Sequence, residues 1–308
     1  MDIGVYLPQV ALGWDELRAR VQACDRLGIR SVWFMDHLYP PGLPHVPSFE
    51  AWTTAAALAG VTERVRLGHL VLSNAFRHPA LVAKMATTLD HASGGRLELG
   101  LGSGSYPEEL DRFGFACPDE AERASRLGEA LEVIRLLFRE EAPSYAGRYY
   151  RLDRAPSLPR PVQRPHPPIH VGGAGERRTL PVVARHADVW NCPTYALGAL
   201  ESKLAVLREE CRRVGRAPET LGVTEEAVLA LVPRRDQVAA ARADAERRFP
   251  GPGWGVAAGG YCGTPDDVVA RLCARAALGV REVIFFLHDR GREETLRLLA
   301  AEVVPAVT

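Results

Sequence analysis

The chain has 308 residues, 47% of them hydrophobic and 25% charged, ordinary values for a globular protein able to bury a full core. Its 38 basic and 38 acidic residues cancel, which argues against the basic surface that nucleic-acid binding needs. No stretch approaches the roughly 18–20 apolar residues of a membrane span, and the start, MDIGV, has neither a basic region nor a long apolar run, so no membrane partner, no signal peptide and a cytoplasmic location are expected.

Residues 3–7 (IGVYL) read as a first strand. Residues 14–27 follow with Leu17, Val21, Cys24 and Leu27 on one helical face, and Gly28 supplies the cap. The second strand, 31–35, opens into a Pro-rich loop, 36–49. A helix from about residue 50 to 62 leads to the third strand, 66–72. Pro79 then starts a helix at the position where its missing N–H costs least, and Ser93-Gly94-Gly95 ends it. The fourth strand is 96–101, and its helix carries Leu127, Leu131, Ile134 and Phe138. On that helix Glu129, Glu132, Arg135 and Arg139 read as a solvated face.

Residues 141–167 break the rhythm, because six prolines forbid a regular helix there. The stretch reads as an insertion that crosses the barrel mouth or packs on its side. The fifth strand is 169–171, the sixth 187–190 and the seventh 222–231. Helices are expected from about residue 176, along Leu200, Leu204, Leu207, Cys211 and Val214, and over 235–248. A Gly-rich loop begins at 250–254. Thr264, Pro265 and Asp267 form a helix start of the capping-box type, and 283–287 is the last strand.

About eight strand–helix units with strands apolar on both faces indicate a parallel sheet closed as a (β/α)8 TIM barrel, with insertion segments at its mouth and a single domain over 1–308. The six cysteines form no C-x-x-C pair and no metal-ligand spacing, so free buried thiols and no metal are expected.

In such a barrel the chemistry lies at the C-terminal strand ends, and four segments stand there. Asp36-His37 sets an acceptor beside an imidazole able to move a proton near neutrality. Leu70 to Asn74 is a strand turning polar. Gly100 to Ser105 is rich in glycines that let a backbone approach closely, without the spacing of a dinucleotide fingerprint. Val171 to Thr179 is a glycine loop entering a helix, where unpaired N–H groups suit a phosphate and Arg177 and Arg178 add charge.

These segments, in this order, resemble the luciferase-like monooxygenase superfamily over nearly the whole chain. The resemblance extends through Glu50-Ala51-Trp52-Thr53-Thr54, Arg77-His78-Pro79-Ala80-Leu81-Val82-Ala83-Lys84, Thr88-Leu89-Asp90, Gly147-Arg148-Tyr149-Tyr150 and Ala184-Arg185-His186-Ala187-Asp188. The Asp-His pair is similar to that of the branch using the deazaflavin coenzyme F420. The resemblance implies His37 as the proton-transferring residue and Asp36 as a cofactor contact. It implies a bulge with a non-proline cis peptide behind the ring at Val71 and its neighbours, including Ser73. It places Ser103, Gly104 and Glu108 by the cofactor, and the phosphate at Val171, Gly172, Gly173, Ala174 and Gly175.

One departure matters. Sugar-phosphate dehydrogenases of the family carry a carboxylate directly after the strand-four glycines, where this chain has Ser105. Glu108 or Glu109 replaces it only if the loop turns inward. The expected function is hydride transfer between F420 and a small organic substrate. Loops 36–49 and 249–262 and the insertion are expected to wall the pocket, with Tyr39, Phe49, Ser105, Tyr106 and Trp254 as its lining. The alternatives are an FMN-dependent two-component monooxygenase and a non-catalytic flavin-binding protein. A homodimer and an F420 or flavin reductase as cofactor supplier are the expected partners.

Overall fold

A computed structural model describes residues 1–251 and 253–307. Eight parallel strands form the sheet: β1 (Asp2–Tyr6), β2 (Ser31–Phe34), β3 (Arg66–His69), β4 (Leu97–Gly102), β5 (Ile169–Gly172), β6 (Val189–Cys192), β7 (Gly222–Leu231) and β8 (Glu282–Leu287). The sheet closes because β8 pairs back onto β1, from Asp2 with Glu282 to Tyr6 with Phe286, while β6 pairs with β7. The barrel expected from the strand–helix rhythm is therefore present. A short strand, Tyr261–Gly263, adds to the end of β7.

The helices are α1 (Trp14–Leu27), α2 (Ala51–Ala59), α3 (Pro79–Ala92), α4 (Glu120–Arg139), α5 (Thr179–His186), α6 (Leu200–Arg213), α7 (Val238–Arg248) and α8 (Pro265–Ala277), and a helical tail closes the chain. Their ends follow the local chemistry. Gly28 caps α1 at φ 76°, a conformation open to glycine at little cost. Pro79 opens α3, and the His78 ring accepts from the Ala80 N–H at 3.2 Å. The Asp267 carboxylate accepts from the Thr264 N–H at 3.0 Å at the start of α8. α5 begins three residues later than expected, because residues 176–178 form a turn first.

Alternation along the strands divides the interior. Val5, Val32, Leu67, Leu99, Val171 and Phe285 face outward into the apolar layer beneath the helices. The inward rows carry glycine and polar groups instead. At the N-terminal end of the barrel Glu98 bonds His170 Nε2 at 2.8 Å and Arg66, and Trp33 Nε1 donates to Ser31 Oγ at 2.7 Å. Burial alone would raise the Glu98 pKa, but His170 and Arg66 outweigh it and hold it below the usual carboxylate range. This polar plug fills the end of the barrel away from the mouth.

The insertion packs on the side, and its Tyr150 Oη accepts from Asn74 Nδ2 at 3.2 Å next to the strand ends. Its backbone N–H groups at Arg148 and Tyr149 donate to Glu129 at 2.8 and 2.9 Å, Tyr145 Oη donates to Glu132 at 2.7 Å, and Lys84 Nζ donates to the Leu158 carbonyl at 2.7 Å. The segment thus straps α3 and α4. Glu129 and Glu132 are its anchors and not a solvated face, and Arg135 reaches the His186 carbonyl at 2.8 Å. All six cysteines are free, but Cys117 and Cys273 are exposed, contrary to the expectation of burial.

Candidate functional site

The strand ends meet in a mouth lined by the inward-facing Tyr6, Met35, Leu70, Val71, Ile284 and Phe286. Tyr6 and Phe286 meet edge to face at 5.1 Å. Above this apolar floor stand the polar segments picked out by their position after the strands.

His37 follows β2 closely, and the buried Gln9 side chain steadies the approach by accepting from the Met35 N–H at 3.1 Å. The partner of His37 is Glu109. Its Oε2 lies 2.7 Å from His37 Nδ1 and its Oε1 accepts the Leu38 N–H. Glu109 comes from a short helix, Pro107–Arg112, which turns the carboxylate inward until its side chain is only 2% exposed. A carboxylate only accepts, so the bonded tautomer carries its proton on Nδ1. Nε2 then has no partner among the described residues, on a side chain 27% exposed. The sequence raised Glu109 only as a conditional substitute.

Asp36 lies beside His37 but is committed elsewhere. Its carboxylate receives both Arg77 guanidinium nitrogens at 2.8 and 2.9 Å and the Ser73 N–H at 2.8 Å. Arg77 also reaches Glu50 at 2.6 Å, whose carboxylate caps α2 through the Trp52 and Thr53 N–H groups. Burial would lower the Arg77 pKa, but Asp36 and Glu50 outweigh it and raise it. Asp36 therefore ties the ends of β2 and β3 together. Nothing in the sequence marked Arg77 as its partner.

The Leu70–Val71 peptide is cis, where the resemblance placed one. Val71 then points into the barrel against glycines. A Cβ at Gly102 would stand 2.6 Å from Val71 Cγ2, and at Gly172 3.1 Å from Cγ1. At Gly100 it would overlap the His69 carbonyl. The glycines of β4 and β5 thus make room for one apolar side chain that offers a face to the mouth.

After β5 the backbone passes through Gly173 at φ 119°, and the Gly175 carbonyl accepts the Thr179 and Leu180 N–H groups at 2.9 and 3.0 Å. This turn leads into α5. Arg178 is spent on Glu120 at 3.0 Å, so the expected charge at the loop falls to the exposed Arg177. The glycines around Val71 leave room for a flat ring, and the glycine turn after β5 lets a ligand approach the backbone closely.

The remaining expectations divide. Gly104, at φ 83°, sits against Ser73 Oγ, next to Ser103. Glu108 points away, to Arg112 at 2.7 Å and Tyr106 Oη at 2.9 Å, so it does not join the site. Tyr106 Oη accepts from Gly42 at 3.1 Å, and its ring stands 6.2 Å from His37 and 6.0 Å from Tyr39. Tyr39 also stacks on Phe113. Phe49 turns to Trp14 at 5.7 Å on the rim, and Ser105 is exposed. Trp254 is exposed on a loop that rests on Tyr195 through Gly253; Pro252 of that loop lies outside the described residues. No cluster of three or more metal-ligating side chains occurs among the described residues.

One group was missed entirely. β7 carries adjacent acids on opposite faces. Glu225 faces outward and meets Arg275 at 3.2 Å and the Tyr261 hydroxyl. Glu226 shares the inward row with Ile284, is 93% buried by its 7% exposure, and has its pKa raised to about 7 by desolvation. Two acids inside a ten-residue apolar strand were the available signal.

The model of the family described as luciferase-like monooxygenase matches residues 1–253. The F420-dependent hydroxymycolic acid dehydrogenase of Mycobacterium tuberculosis is 33% identical over 246 residues, covering 79% of this chain and 66% of that protein. The chain spans 42–66% of the length of the first three curated relatives it matches. A solved F420-dependent secondary alcohol dehydrogenase, in complex with an F420-acetone adduct, superposes with a TM-score of 0.83 at 20% identity over 100% of this chain and 99% of that one. The oxygenating constituent of 3,6-diketocamphane monooxygenase from the CAM plasmid of Pseudomonas putida, in complex with FMN, gives 0.78 at 18% over 100% and 99%. At these identities the two solved structures share the fold alone.

Proposed function

Because the chain belongs to the luciferase-like monooxygenase family, we propose that it is an oxidoreductase that moves a hydride between coenzyme F420 and a small substrate bearing a carbonyl or alcohol. The observation that carries this reading is the His37–Glu109 pair at the mouth. Hydride transfer to a carbonyl carbon leaves an oxygen that needs a proton, and the reverse reaction must remove one. F420, when bound, supplies the carbon that gives or takes the hydride.

The chain's own residues do the rest. Glu109 would fix the His37 tautomer through Nδ1 and leave Nε2 to exchange a proton with the substrate oxygen. Val71 and the glycines of β4 and β5 would hold the ring, and residues 172–175 the phosphate. Tyr39, Tyr106 and Phe113 form an aromatic cluster beside His37. The F420-dependent curated relative favours F420. The same cradle accommodates FMN, so an FMN-dependent monooxygenase is the rival and a silent flavin-binding protein the next.

The reading includes a reductase as cofactor supplier, a homodimer, and the cytoplasm, which suits two exposed free thiols. Its test is an anaerobic panel of ketones, aldehydes and secondary alcohols offered with reduced or oxidised F420. Substrate-dependent change in the F420 absorbance without oxygen is expected. Oxygen uptake with reduced FMN and no F420 turnover would contradict it.

A further inference from the structure

Glu226 is a carboxyl group without an internal reason to be where it is. It makes no hydrogen bond or ion pair among the described residues, whereas its neighbour Glu225 makes both on the outer face. Its oxygens are not among the sealed, partnerless polar atoms of the interior, and its residual exposure is 7%. At least part of the carboxyl therefore opens onto space inside the barrel large enough for water.

That space is the mouth. Glu226 lies on the inward row in register with Ile284 of β8, which in turn pairs with Gly4 of β1. The ionisable groups whose titration feels its charge are Tyr6 on β1, and Cys192 and Tyr195 at and after the end of β6. Each of the three is itself raised by burial and uncharged at neutral pH. Among the described residues no cation reaches the carboxyl. In the strand order β7 stands across the barrel from β3, which carries into Val71. A ligand resting on the Val71 face would thus have His37 at one side and Glu226 opposite. An unpaired acid at such a place costs stability, and groups of that kind gather where ligands bind.

We propose that Glu226 is a ligand-facing group of the pocket, which as a carboxylic acid donates a hydrogen bond to a carbonyl oxygen of what binds there. The identity of the ligand rests on the F420 reading above. The carbonyl belongs either to the pyrimidine ring of the cofactor or to the substrate. An apolar floor and a neutral acid favour an uncharged, apolar-bodied partner over a cationic one.

The test labels the intact protein with dicyclohexylcarbodiimide, which attacks protonated carboxyls in apolar sites, and locates the adduct by peptide mass spectrometry. Glu226→Gln is the blank. Labelling at Glu226 is expected, falling as pH rises through about 7, and slowed at least tenfold by saturating F420. No labelling, or labelling that bound F420 leaves unchanged, overturns the proposal. Titrations of F420 into wild type, Glu226→Gln and Glu226→Leu assign the source. Loss of about tenfold in affinity for Leu, with Gln retaining its donor and its affinity, places the carbonyl on the cofactor. Unchanged affinity with protected labelling places it on the substrate. If wild type fails to bind F420, the titration shows it directly, while labelling of Glu226 in the ligand-free protein still reports an open, protonated carboxyl, so the two ideas fail separately.

Discussion

At the scale of single residues the chemistry open to the mouth depends on which side-chain atoms are free. His37 is held at Nδ1 by Glu109 and open at Nε2, while Asp36 beside it has both oxygens engaged. Position after β2 made His37 legible in the sequence, since a barrel concentrates chemistry at its C-terminal strand ends. The division of labour between Asp36 and Glu109 was not legible. It depends on Arg77 arriving from after the next strand and on one turn of helix rotating Glu109 inward and Glu108 outward, and neighbouring glutamates look alike in sequence. His37→Ala is expected to lower F420-dependent turnover by about 10²–10⁴-fold with the F420 dissociation constant held within a few-fold. Glu109→Gln should lower turnover by roughly 10–100-fold, by analogy with the loss of a partner that orients a working histidine. Steady-state kinetics beside a binding titration check both. Equal turnover for wild type and His37→Ala would remove the residue from the mechanism.

At the scale of elements, β4 and β5 serve as walls built to be thin. Glycines inside a strand weaken it, yet Gly100, Gly102 and Gly172 lie where a Cβ would strike Val71 or the His69 carbonyl. The glycine runs were readable as close-approach points, but not what approaches them, because the Val71 side chain enters from the break between β3 and the short strand Leu72–Ser73. Gly102→Ala should destabilise the fold by about 1–3 kcal/mol through overpacking. Val71→Ala, by clearing the 2.6 Å contact, should return most of that loss in the double variant. Urea unfolding of the four-protein cycle measures the coupling. Additive losses would mean that the glycine answers to something other than Val71. The insertion illustrates the opposite limit. Its prolines announced irregular structure, while its course down the side of α3 and α4 rests on backbone N–H groups finding Glu129, a pairing that residue spacing does not encode.

At the scale of the molecule, short strands buried on both faces and separated by amphipathic stretches specified a closed parallel barrel, and closure by β8 on β1 completes it. A closed barrel holds the ends of eight strands around one mouth, so residues from 36 to 286 face a common space despite their separation in the chain. The seventh strand was read only as one of eight strands buried on both faces, and its two adjacent acids were not weighed, which is why Glu226 escaped notice. The same architecture carries F420 and FMN chemistry in solved proteins of this shape, so shape leaves the cofactor to the residues of the mouth. The most direct measurement is a side-by-side titration of the apoprotein with F420 and with FMN. Micromolar or tighter binding of F420 and much weaker binding of FMN is expected; the reverse preference would mean that the mouth serves FMN and oxygen chemistry instead.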